Sequence, residues 1–154
     1  GSVLGPQEAF LILRGLKTFE IRMQRHCESG RKIAEYLDNH PMVEKVYYPG
    51  LASHKNHEVA AKQMRDFGAM ISFEVKGGRA AGEKFVNSLE LCTLAVSLGD
   101  AETLIEHPAS MTHSTYGPEE LAEAGIPEGL VRLSVGLENA EDIIADLSAG
   151  FDKL

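Results

Sequence analysis

Leu130-Val131-Arg132-Leu133-Ser134-Val135-Gly136-Leu137 alternates without a break. Val131, Leu133, Val135 and Leu137 are aliphatic, and the residues between them are Arg132, Ser134 and Gly136. Successive side chains of a strand project to opposite faces, so the octet predicts a half-buried strand with one apolar and one polar face. Working back from it, Ala69 to Val75, closed by Gly77-Gly78, reads as a second strand. Val43, Val46, Tyr47 and Tyr48 before Pro49-Gly50 read as a third, and Leu91 to Val96 as a short fourth. His54 to Arg65, Ala80 to Leu89 and a short run from Pro118 to Gly125 read as helices. A last helix starts at Asn139, an N-cap with Asp142 three residues on, and runs to about Phe151.

At the other end, Gly5-Pro6 opens a helix in which Phe10, Leu13, Leu16, Phe19, Met23, Cys27, Ile33 and Leu37 recur at spacings dominated by three and four. The pattern predicts one long helix over residues 6–40, about 50 Å from end to end. Gly15 and Gly30 inside it mark a bend or a close contact. About four strands interleaved with helices predict a two-layer α/β sandwich.

The chain has 154 residues, a formal charge of −8 and an apolar content of 44%, which suits one folded domain and excludes a wholly disordered chain. The acidic balance argues against nucleic acid and anionic membrane as partners. No apolar run approaches the roughly 20 residues of a membrane helix. Gly1-Ser2 reads as a remnant of a cleaved tag, and nothing resembles a signal peptide. Two cysteines, Cys27 and Cys92, fit a reducing compartment, so the expected location is the cytoplasm. The charge is unevenly placed: residues 1–50 carry a net +1 and the remainder −9. Between Lys84 and Lys153 Arg132 is the single basic side chain among thirteen carboxylates. Its fork suits either a structural ion pair or a ligand carboxylate.

The obvious chemical motifs are weak. His54 and His57, or His107 and His113, lack the partners of a zinc pattern, so no metal ligand is assigned. Lys76-Gly77-Gly78-Arg79-Ala80-Ala81-Gly82 lacks the ending of a phosphate loop and reads as a turn before a helix. Cys92 sits in an apolar stretch and reads as buried and inert. More informative is Thr93-Leu94-Ala95-Val96-Ser97-Leu98-Gly99-Asp100, where a strand-like run passes into a turn. Together, Ser97 and Arg132 could hold an amino or keto acid.

Five stretches carry a resemblance. They are Leu13-Arg14-Gly15-Leu16-Lys17-Thr18, Tyr47-Tyr48-Pro49-Gly50-Leu51, Ala95-Val96-Ser97-Leu98-Gly99-Asp100, His107-Pro108-Ala109-Ser110-Met111-Thr112-His113 and Val131-Arg132-Leu133-Ser134-Val135-Gly136-Leu137-Glu138. In this order and spacing, over residues 3–154, they resemble the pyridoxal-phosphate enzymes of cysteine and methionine metabolism. That family includes cystathionine γ-synthase, cystathionine γ-lyase and methionine γ-lyase. The resemblance implies the C-terminal small domain of a fold-type I enzyme. Its sheet would be mostly antiparallel with helices on one face, and 6–40 would link it to a large cofactor domain outside the chain.

The resemblance further implies that Arg132 binds the substrate α-carboxylate and that Ser97 lies at the cofactor and substrate site. Val96 stands where cystathionine-handling relatives typically have Glu, which points to the methionine γ-lyase branch and to L-methionine or a related thioether. The intact enzyme would release methanethiol, 2-oxobutanoate and ammonia. The alternatives are a cystathionine γ-lyase or γ-synthase domain, or a non-catalytic binding or assembly module. None of the chain's lysines has the family's cofactor-lysine context, so no catalytic or cofactor-binding residue is assigned here and the fragment alone is expected to be inactive. The intact enzyme is expected to be a tetramer.

Overall fold

The protein is described by a computed structural model covering residues 2–154. Of the Gly1-Ser2 pair, Gly1 lies outside the described residues. The described residues form β1 (Val43–Tyr47), β2 (Met70–Val75), β3 (Thr93–Leu94), β4 (Leu104–Glu106) and β5 (Leu130–Ser134). The first five residues of the alternating octet form β5, shorter than the strand expected to Leu137, at the centre of one sheet of order β1-β2-β5-β4-β3. Its neighbours β2 and β4 both run antiparallel to it, as does β1 to β2; only the two-residue β3 pairs parallel, with β4. The sheet is therefore mostly antiparallel, with one more strand than the sequence pattern suggests.

Register turns the alternation into two faces. Val46, Phe73 and Val131 are paired across three strands, and Ile71, Leu133 and Ile105 across another three. All six are buried. Against them pack α2 (Phe19–Asp38) through Ile33 and Leu37, α4 (Gly78–Val86) through Phe85 and Val86, and α6 (Ala140–Phe151) through Ile143, Leu147 and Phe151. Phe85 stacks on Phe151 with centroids 4.4 Å apart and meets Phe73 edge-on. Each such ring buried adds roughly 2–3 kcal/mol of transfer free energy.

The single helix over 6–40 is corrected to two. The first, α1, spans Pro6–Leu16, and α2 begins at Phe19. Leu16 and Phe19 are three apart, so the apolar periodicity runs through the break unchanged. At the break, Thr18 leaves helical geometry at φ −112°, ψ 9°. Arg22 Nη2 donates to the Gly15 carbonyl at 2.7 Å, satisfying an acceptor freed by the ending of α1. Gly30 is the close contact of the pair: a Cβ there would stand 2.9 Å from the Gly68 carbonyl oxygen, so α2 lies directly on the chain entering β2. Among its residues α1 buries none, and Phe10, Leu11, Ile12, Leu13 and Leu16 are all more than half exposed.

Other segments are shorter than the pattern predicts. The helix expected at 54–65 is α3 (His57–Gln63), and the strand expected at 91–96 contracts to Thr93–Leu94. The short helix after Pro118 is α5 (Pro118–Glu123). Asn139 caps α6 as expected, its Oδ1 accepting from the Glu141 N–H at 3.0 Å. From α6, Asp146 accepts the backbone N–H groups of Glu90, Leu91 and Cys92 at 2.9, 3.1 and 2.9 Å, pinning the segment that enters β3.

Candidate substrate-anchoring site

The sheet face turned away from the helices carries a polar row. Tyr47 pairs with Ser72, Ser72 with Arg132, and Arg132 with Glu106, one residue from each of β1, β2, β5 and β4. Adjacent members of such a row are about 5 Å apart at the backbone. At one end the Tyr47 hydroxyl donates to Glu74, and burial together with that carboxylate pushes the phenol up to about 12. Tyr47 therefore stays a neutral donor through the physiological range.

Toward the other end, next to Glu106, lies Arg132, its side chain 26% exposed. Nη1 contacts Glu106 Oε1 at 3.0 Å, and Nη2 donates to the Ser97 carbonyl at 3.0 Å. The two readings of the lone arginine thus meet in one side chain, which makes a structural ion pair and keeps an open side. The structure brings Ser97 to Arg132 through its backbone oxygen, while its side chain lies in an exposed loop. Val96, 58% exposed, sits beside it.

Three further ties hold that loop. Gly99 donates its N–H to Ser134 Oγ at 2.9 Å. Glu138 accepts both the N–H and the hydroxyl of Thr103 at 2.7 Å, and the Thr103 hydroxyl in turn accepts the Gly136 N–H at 2.9 Å. Leu137 completes the seam by donating to the Ala101 carbonyl at 2.7 Å. Backbone groups of a loop need such partners, and here they come from the end of β5 and its continuation.

The sequence pattern misses Glu106, Ser134 and Glu138 as parts of this site. The available signal for Glu106 was a carboxylate inside the apolar run Leu104-Ile105-Glu106-His107-Pro108-Ala109, where a charge needs a partner. His107 is structural: Nε2 donates to the Glu128 carbonyl at 2.7 Å, so Nδ1 of the neutral ring accepts from Ser110. Burial pushes its pKa below the ordinary histidine value. Cys92 is buried, its thiol pushed up by burial and by Asp146, which agrees with an inert thiol. Among the described residues no three His, Cys, Asp or Glu side chains gather as a metal site, and no helix is long and apolar enough to cross a membrane.

Arg132 is thus a partly exposed arginine on the sheet face turned away from the helices, beside an exposed loop, where its remaining N–H donors suit an acid group. Residues 1–152 match the family of Cys/Met metabolism PLP-dependent enzymes. The chain is 66% identical over 154 residues to an L-methionine gamma-lyase of Fusobacterium nucleatum subsp. polymorphum, all of this chain against 39% of that protein. It is 50% identical over 149 residues to a cystathionine beta-lyase of Coxiella burnetii, covering 97% of this chain and 38% of that one. Among solved structures, a cystathionine gamma synthase from Xanthomonas oryzae pv. oryzae in complex with aminoacrylate and cysteine superposes with a TM-score of 0.89. The match is 54% identical and covers 96% of this chain and 38% of that one.

The chain belongs to the Cys/Met metabolism PLP-dependent enzyme family. It spans about two-fifths of the length of the curated relatives it matches, 39% for the first two. All eight of its lysines are exposed, and a Schiff-base lysine needs a desolvated pocket. The residues present therefore do not fit a lysine-linked pyridoxal phosphate; they fit a carboxylate.

Proposed function

We propose that the chain is the C-terminal small domain of a pyridoxal-phosphate-dependent methionine γ-lyase. The intact enzyme would convert L-methionine to methanethiol, 2-oxobutanoate and ammonia. Pyridoxal phosphate, held by residues outside this chain, would supply the electron sink. This chain would supply the grip on the amino acid: Arg132 takes the α-carboxylate, Ser97 lines the same site, and Val96 presents an apolar side chain toward the thioether. Holding the carboxylate at a fixed point orients the α-carbon, which converts binding into a favourable geometry for proton removal. The observation that carries the reading is Arg132, fixed at two nitrogens yet partly exposed on the sheet face turned away from the helices, beside Ser97 and Val96.

The exposed apolar surface of α1 supports packing of this domain against the rest of the enzyme. Assembly as a tetramer and a cytoplasmic location complete the proposal, the latter supported by two buried free cysteines. Arg132→Ala in the full-length protein tests it. KM for L-methionine should rise about a hundredfold, as for loss of a bidentate charged contact. An unchanged KM would remove the anchor role.

A further inference from the structure

Glu106 is the most deeply buried carboxylate in contact with the site. Its side chain is 2% exposed, yet only Oε1 is used, against Arg132 Nη1 at 3.0 Å. Oε2 is buried without a hydrogen-bond partner among the described residues. Burying a carboxylate is unfavourable unless its lone pairs are met, and an apolar side chain between Leu104, Ile105 and His107 would fill the same place without that cost. As a stabilising ion pair the arrangement is poor, because stable Arg–carboxylate pairs are two-pronged.

As a device for aiming an arginine it is better. A two-pronged contact would occupy both ends of the guanidinium. One oxygen at Nη1 and the Ser97 carbonyl at Nη2 fix the plane from two elements, β4 and the loop, using two of the five N–H donors. Three donors remain for a ligand, on a group whose orientation is set before the ligand arrives.

We infer that Glu106 is the positioning residue of Arg132, holding the guanidinium in the orientation that receives the substrate carboxylate. This rests on the anchor role proposed above. Glu106 touches no substrate; its effect passes through Arg132 and so falls on the ground-state grip of the amino acid. Gln at position 106 keeps an oxygen of the same reach. Ala removes it. Asp withdraws it by one methylene.

The test uses the full-length enzyme with L-methionine. Glu106→Ala should raise KM about tenfold or more, with kcat changed less than about threefold. Glu106→Gln should restore KM to within about threefold of the parent enzyme. Should the alanine variant not fold, Glu106→Asp gives the same reading, with KM raised about fivefold or more. The inference is overturned if Arg132→Ala raises KM while Glu106→Asp and whichever other variants fold leave it unchanged. It is also overturned if Gln is as impaired in KM as Ala or Asp, since a spare oxygen would then not suffice. If Arg132→Ala itself leaves KM unchanged, the anchor reading fails first, and a rise in KM for Glu106→Asp would then report some other effect than aiming Arg132.

Discussion

Gly136 and Ala101 approach so closely that a Cβ on the first would stand 2.5 Å from the carbonyl oxygen of the second. Glu138 Oε2, a side-chain atom that already holds Thr103, stands as close, but Ala101 O and Glu102 C are backbone, and that carbonyl already accepts the Leu137 N–H. The two backbone atoms cannot give way without moving the loop. Gly136→Ala should therefore prise the 97–103 loop from β5 and destabilise the fold by about 2 kcal/mol, within the range for overpacked sites. Denaturant unfolding gives the stability loss, and the same variant in the full-length enzyme should show a raised KM. Unchanged stability would mean that the seam is looser than the distances indicate.

Val96 carries the substrate preference in the proposed reading. Its side chain is 58% exposed, so replacement disturbs no packing in this domain. Val96→Glu should lower kcat/KM for methionine and raise it for cystathionine, whose distal ammonium can pair with the new carboxylate. A change of about tenfold in the ratio is expected from one such contact. Competition between the two substrates measures it directly. A ratio that does not move would place the preference elsewhere.

Asp146 sets an acid limit on stability. Burial works against its ionised form, but the N–H groups of Cys92, Glu90 and Leu91 outweigh that and hold its pKa below the usual carboxylate value. A depressed native pKa contributes stability that is present above the unfolded value of about 3.9 and is lost as pH falls through the native value. Asp146→Asn should lose about 2 kcal/mol at pH 7, as for weakened charge-assisted bonds, and flatten that acid limb. Chemical denaturation at a series of pH values below 5 separates the two effects.

His107 produces a second step at higher pH. Burial holds its pKa below the ordinary value near 6.5. The unfolded chain therefore takes up the proton first, and the stability from the neutral ring is complete above about pH 6.5 and declines as pH falls below it. In His107→Gln this decline should be smaller, with His40, also held low by burial, keeping its own share, and the variant should be less stable at pH 7. Melting curves at pH 7.5 and 5.5 for both proteins supply the comparison. An equal decline in the two would assign the step to another group.

The legible parts of the fold were those in which one physical rule acts alone. β5 could be read because its pleat alternates half-buried and buried positions over its first four residues, and α6 because Asn139 provides its cap and Gly150-Phe151 its last apolar contact. β4 could not. Three residues, all buried and one of them Glu106, offer no alternation to count. The break between α1 and α2 was hidden because two residues removed from helical hydrogen bonding leave Leu16 and Phe19 in phase. Of the site, Arg132 stood out by its isolation among carboxylates, whereas its partner is on a strand 26 positions away in the chain and is recognisable only through register. The Ser97 contact was also invisible in one respect: the group that meets Arg132 is a peptide carbonyl, which every residue possesses.

That last point bears on how such a site can change over evolutionary time. The atoms that moor the loop to β5 and its continuation are mostly peptide groups: the Ser97 oxygen, the Gly99 nitrogen, the Ala101 oxygen and the Thr103 nitrogen. The side chains of Val96 and Leu98 take no part in the mooring and are more than half exposed. A new side chain at either position can thus be tried without casting the loop adrift or turning the arginine aside. In the proposed reading, recognition of the common end of an amino acid and discrimination among the variable ends would be mechanically uncoupled, so one scaffold would acquire new tastes by single substitutions.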